Sequence, residues 1–125
     1  MGYESRLYII QKDKYNMPMS LIKGKKYKYA EAIASFDLRK DYDVSDRMRL
    51  YPATEYAIIG DDCDTWITCD MYGEPLREMT ISDAIRILEK AEAEDHYRRR
   101  TPLLTMLKAF QPDEWDELAV LHYGY

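Results

Sequence analysis

The sequence predicts an α+β fold: a single domain in which an antiparallel sheet of three or four strands packs against C-terminal helices. Three observations carry this expectation. Segments with strand chemistry come first and helix-like segments come last, which segregates the two kinds of structure. The strand–helix alternation that builds parallel sheets is absent, and so is any internal repeat. The chain has 125 residues, the size of one compact domain. Residues 1–79 are therefore expected to be mainly β and residues 80–125 mainly helical.

Each element follows from local chemistry. Tyr3 to Lys12 reads as a strand, with Leu7 and Ile9 on one face and Tyr8 and Ile10 on the other. Residues 13–20, broken by Asn16 and Pro18, read as a loop. Lys23 to Lys28 reads as a basic turn around Gly24. Tyr29 to Leu38 admits two readings. As a helix, Tyr29, Ile33 and Phe36 share a face; as a strand, Ala30, Ala32, Ala34, Phe36 and Leu38 alternate with Glu31, Ser35 and Asp37. The strict alternation favours the strand. Asp41 to Arg49 is a loop or a short helix capped by Ser45, closed by Tyr51-Pro52, because a residue before proline leaves the helical region.

Tyr56 to Ile59 and Thr65 to Cys69 are two short strands joined by the Gly60–Asp64 turn, a β-hairpin with a longer loop. Tyr72 to Pro75 makes the exit turn. Thr80 to Asp83 starts a helix lined by Ile81, Ile85 and Leu88 that runs to about Tyr97, with Glu94–Arg98 and Asp95–Arg99 as i,i+4 pairs. Thr101-Pro102 starts a second, with Leu103, Leu107 and Phe110 as its apolar stripe. Gln111 to Glu114 starts a last helix, with Trp115, Leu118 and Ala119 facing inward.

Composition points toward surface contact. Twelve tyrosines stand against two phenylalanines. A tyrosine joins an apolar ring to a polar tip, which suits interfaces better than dry cores. Net charge is −5 and unevenly spread: residues 1–50 hold 11 Lys/Arg and 7 Asp/Glu, residues 51–125 hold 7 and 16. Such asymmetry steers charged partners. No stretch is apolar enough to span a membrane, and the opening residues carry no secretory pattern, so a cytoplasmic protein is expected. Cys63 and Cys69 are then expected to be free thiols.

Motifs that would carry catalysis are missing. The Asp61-Asp62-Cys63-Asp64 turn, with Asp70 nearby, is the densest carboxylate cluster. Counted from Asp62, the sixth and twelfth positions are Ile67 and Gly73, so it is no EF-hand. It reads as a solvated turn, a weak cation site or an acidic contact patch. His96 and His122 lie outside metal-ligand spacing and are each expected at a helix end. Lys23, Lys25, Lys26 and Lys28 surround Tyr27, a pattern that suits phosphate contact or an acidic protein surface; Arg98-Arg99-Arg100 is a second basic cluster. Glu55, Asp61, Asp62, Asp64, Asp70 and Glu74, with Tyr56 and Tyr72 among them, form an acidic, aromatic set that could occupy a groove built for nucleic-acid phosphates.

Gly2 to Ile10, Tyr29 to Leu38 and Asp70 to Leu76 resemble segments of short uncharacterised proteins from phages and mobile elements of Gram-positive bacteria. The likeness covers scattered parts of residues 1–90 and nothing after Tyr97. It implies an accessory protein that binds and blocks a host defence or regulatory machine, anti-CRISPR inhibitors being one such class. The expectation is thus a non-enzymatic interaction protein acting on a nucleic-acid-binding effector complex, with no cofactor or metal. A homodimer through Trp115, Tyr123 and Tyr125 is left open. The alternatives are a small-molecule or nucleotide binder and a metal-assisted hydrolase built on Asp61, Asp62 and Asp64.

Overall fold

The computed structural model describes residues 4–12, 19–22, 24–59 and 66–125. The elements in chain order are β1 (Ser5–Gln11), β2 (Met19–Ile22), β3 (Lys25–Arg39), α1 (Tyr42–Met48), β4 (Tyr56–Ile59), β5 (Trp66–Ile67), β6 (Arg77–Met79), α2 (Ile81–Glu94), α3 (Arg100–Ala109), a 3-10 turn (Pro112–Glu117) and β7 (Leu118–Gly124). The α+β class stands, but the sheet has seven strands and is mixed. Its order is β5-β4-β3-β1-β7-β6, with β2 also on β3, and β4 runs parallel to β3.

β3 organises the sheet. Lys25 to Lys28 belong to this strand and pair with β2, so the basic segment is not a turn beyond Gly24. Gly24 takes φ 79°, which glycine adopts without steric cost. Tyr29 to Leu38 is strand, as its alternation indicates. The alternation is not continuous, however. Ile9 faces Ala34 while Ile10 faces Ala32, so Ile33 is an extra residue in a bulge. Ala30 and Ala32 therefore join one core, and Ala34 and Phe36 join the other.

The two cores lie on opposite faces. On one, Leu7, Ile9, Val120 and Met79 meet α1, α2 and α3 through Met48, Ile81, Leu88, Leu103 and Leu107. On the other, Tyr8, Ile10, Ile58, Leu76 and Leu121 meet each other. The second core needs no helices because the sheet curls. Ala53 bridges Arg77, Thr54 N–H donates to Leu76 O (2.8 Å), and Glu78 N–H donates to Pro52 O (3.0 Å). These bonds join β6 to the segment that enters β4, which wraps the sheet around its inner side chains.

The largest correction is at the C-terminus. Leu118 to Gly124 is not helix but a strand lying between β1 and β6. Residues 112–117 form only a 3-10 turn. Leu118 to His122 are all buried, so both faces of β7 are covered and no exposed edge remains for a helical stripe. Smaller departures have local causes. Asp41, not Ser45, precedes α1, and Ser45 is buried within the helix. Thr80 Oγ1 caps α2 by accepting from Asp83 N–H at 3.0 Å, as the sequence indicates. α2 stops at Glu94 because the Glu92 carboxylate accepts from Tyr97 N–H (2.6 Å) and from Arg100 (3.0 Å), turning the chain; the Glu94–Arg98 and Asp95–Arg99 helix pairs do not form. α3 then begins at Arg100, which puts Thr101-Pro102 inside its first turn.

Candidate functional site

The residues singled out in the sequence divide sharply. Asp61, Asp62, Asp64, Cys63 and Lys23 lie outside the described residues. Tyr56 is a core residue beside Ile58, not a contact residue. Asp70 is also buried. Its Oδ1 accepts from Tyr72 N–H (2.8 Å) and Glu74 N–H (3.0 Å), so it holds a turn together instead of facing a partner. Gly73 completes that turn with φ 81°. Glu55 is exposed but pairs with Lys28 at 3.1 Å, so one residue from the acidic set neutralises one from the basic set. Lys25 opens β3, Lys26 is exposed, and Tyr27 is half-buried. Tyr72 and Glu74 are exposed, as expected.

The other basic cluster is structural at its last member. Arg100 is buried, and its guanidinium meets both oxygens of buried Asp41 (Nε–Oδ2 2.6 Å, Nη2–Oδ1 2.8 Å). Many tyrosines are likewise structural. Tyr29 stacks on Trp66 with centroids 4.0 Å apart, Tyr97 Oη donates to Leu38 O, and Tyr123 and Tyr125 sit against Arg6.

A cleft of about 380 Å³ does gather functional-looking groups. The end of α1 and the residues after it supply Asp46, Arg49 and Leu50. The Asp70 turn supplies Glu74 and Pro75. The sheet supplies Arg77 and His122, which lie opposite each other in the β6–β7 register. His122 is buried in β7, not at a helix end, and its Nε2 is 3.0 Å from Ser5 Oγ. Burial, reinforced by the positive fields of Arg49 and Arg77, pushes its pKa down to about 4. The imidazole is therefore neutral at pH 7. Ser5 has no exposed surface, so this pair is an internal hydrogen bond, not a nucleophile open to solvent.

Large apolar side chains are exposed in the cleft lining and on the turn that adjoins it. Leu50 is 86% exposed, and Met71 (66%) and Tyr72 (45%) project from the turn between cleft residues Asp70 and Glu74. Exposed Tyr42 lies one helical turn before Asp46 on the same side of α1. Of these, only Tyr72 and Glu74 were legible as surface residues. Leu50 and Arg77 carry no local signal, and His122 reads from the sequence as a helix end, because only the fold brings them together.

Among the described residues, no three His, Cys, Asp or Glu side chains converge as metal ligands. No described helix is long and apolar enough to cross a membrane. Comparison with known protein families, curated proteins and solved structures finds no match.

Proposed function

We propose that this chain is a protein-interaction module that docks a basic protein partner over the cleft between α1 and the Asp70 turn. The observation that supports it most is the exposure of Leu50 in the cleft lining and of Met71 and Tyr72 on the adjoining Asp70 turn, with the exposed carboxylates of Asp46 and Glu74 in the same lining, Glu74 3.9 Å from Arg77. Exposed large apolar side chains in one place mark interaction surfaces, and anchors of this kind carry most of a binding energy. The net charge of −5 favours a basic partner. The likeness to phage accessory proteins directs the reading to a bacterial defence complex, whose nucleic-acid-binding surface would supply that basic face.

Two variants test this. The immobilised chain is exposed to lysates of Gram-positive bacteria, and a retained partner is then titrated against Leu50→Asp and Glu74→Lys. Leu50→Asp is expected to weaken binding by about tenfold or more, and Glu74→Lys to lower the association rate and its salt dependence. A partner that binds both variants as well as the parent chain, or the absence of any stoichiometric partner, overturns the proposal.

A further inference from the structure

Leu50 has a second side. It also lines a groove of about 250 Å³ between α1 and α2, together with Arg47, Tyr51, Arg86, Ile87 and Lys90. Three of these six are cations and none is an acid. Buried Ile87 and half-buried Tyr51 give the groove an apolar floor, and exposed Leu50 rises at its edge. The charges are supported from outside it: Arg47 Nε is 3.2 Å from Asp43, one helical turn earlier, and Arg86 Nη2 is 2.9 Å from Asp83. Arg86 Nη2 also donates to Tyr51 Oη at 3.3 Å, which leaves the phenolic proton free to donate elsewhere. Lys90, four residues after Arg86, stands exposed on the same side of α2.

We infer that this groove is a binding site for an acidic, apolar peptide segment, with a carboxylate held by Arg86, Lys90 and the Tyr51 hydroxyl and a neighbouring apolar side chain seated on Leu50 and Ile87. A guanidinium and an ammonium beside an apolar floor suit one carboxylate next to a hydrophobe. They do not suit a polyanion: Arg47 and Arg86 already pair with Asp43 and Asp83, and Lys90 alone of the three has no carboxylate partner among the described residues, so the groove matches a single carboxylate and not an extended phosphate backbone. The inference goes beyond the reading above, since it concerns a different surface and ligands of opposite charge. Leu50 would form the ridge between the two.

The test needs no identified partner. The isotopically labelled chain is titrated with an acetylated, amidated pentapeptide of leucine, aspartate and glutamate, followed by amide chemical shifts. Shifts at Leu50, Tyr51, Arg86, Ile87 and Lys90 are expected, with millimolar to micromolar affinity. The matching leucine, asparagine and glutamine peptide should fail to produce them. Lys90→Glu and Arg86→Gln, both at exposed positions and each checked for an unchanged amide spectrum away from the groove, should each weaken the acidic peptide by about fivefold or more. Equal response to the neutral peptide, equal affinity in the variants, no shift at these residues, or tighter binding there of inorganic phosphate or a single-stranded DNA dodecamer would each overturn the inference. A failed lysate capture leaves this result unaffected, so the two proposals fall separately.

Discussion

Arg100 illustrates how a residue that looks like surface charge becomes internal. Within Arg98-Arg99-Arg100 nothing in the sequence distinguishes the third from the first two. The end of α2 turns it inward, where Asp41, Glu92 and the Asp95 carbonyl accept from its guanidinium. Asp41 lies 59 residues away, beyond the reach of local spacing rules. Replacing Arg100 with alanine leaves Asp41 buried without its counter-charge and is expected to cost about 3–5 kcal/mol in urea unfolding. Arg100→Lys should recover only part of this, because an ammonium cannot make the two parallel bonds. The double variant Arg100→Met/Asp41→Leu should recover most of it, since both charges are then gone. His122 gives a second residue-scale expectation. Its pKa is about 4 when folded and near 6.5 when unfolded, so above pH 6.5 both states bind no proton and stability is unaffected. Between pH 6.5 and 4 the unfolded state binds the proton and the folded state does not, so stability falls as pH falls, by about 3 kcal/mol in all. The slope should flatten in His122→Gln, and an imidazole titrating near 6.5 in the folded chain would refute the assignment.

At the scale of elements, β7 explains what the sequence could and could not reveal. Thr80, Ile81 and Asp83 mark the start of α2 through contacts within one turn, so the helix start was legible. The pairing of β4 with β5 was legible too, with Ile58 opposite Ile67, although β5 covers only Trp66–Ile67 of the expected Thr65–Cys69 and Cys69 instead bridges Pro75. β7 has no comparable local signature. Pro112-Asp113-Glu114 imitates a helix start, and Trp115, Leu118 and Ala119 imitate its inner stripe. The decisive feature is the apolar run Leu118–Leu121, and a short buried run cannot be assigned by periodicity alone. Its partner β1 lies at the other end of the chain, pairing Leu7 with His122 and Ile9 with Val120. The cleft shares this fate, because Arg77 and His122 meet only through the β6–β7 register. A chain ending at Glu117 would leave β1 paired with β3 alone, take from β6 its partner strand and uncover both cores. Such a truncation is expected to lose its cooperative thermal transition, followed by circular dichroism. A sharp transition near that of the full chain would show that β7 is dispensable.

Across the whole molecule, the two cores share their strands. Along β1, Leu7 and Ile9 enter the helix-covered core while Tyr8 and Ile10 enter the curled one; along β7, Val120 and Leu121 divide in the same way. Neither core can open without exposing the backs of the strands that build the other. Unfolding should therefore be a single cooperative event, despite two separate hydrophobic clusters. The two tryptophans are placed to test this. Trp115 packs against the helix-covered core and donates to Phe110 O at 3.3 Å. Trp66 stacks on Tyr29 in β5, the strand that joins the curled core through Ile67. In Trp66→Phe and Trp115→Phe, the remaining tryptophan reports one core at a time. Each substitution shifts the midpoint by its own small cost. Within each variant, however, tryptophan fluorescence should report the same urea midpoint and slope as far-UV circular dichroism. A fluorescence transition that precedes the loss of secondary structure in one variant but not the other would mean that one core opens alone, contrary to the sharing of β1 and β7.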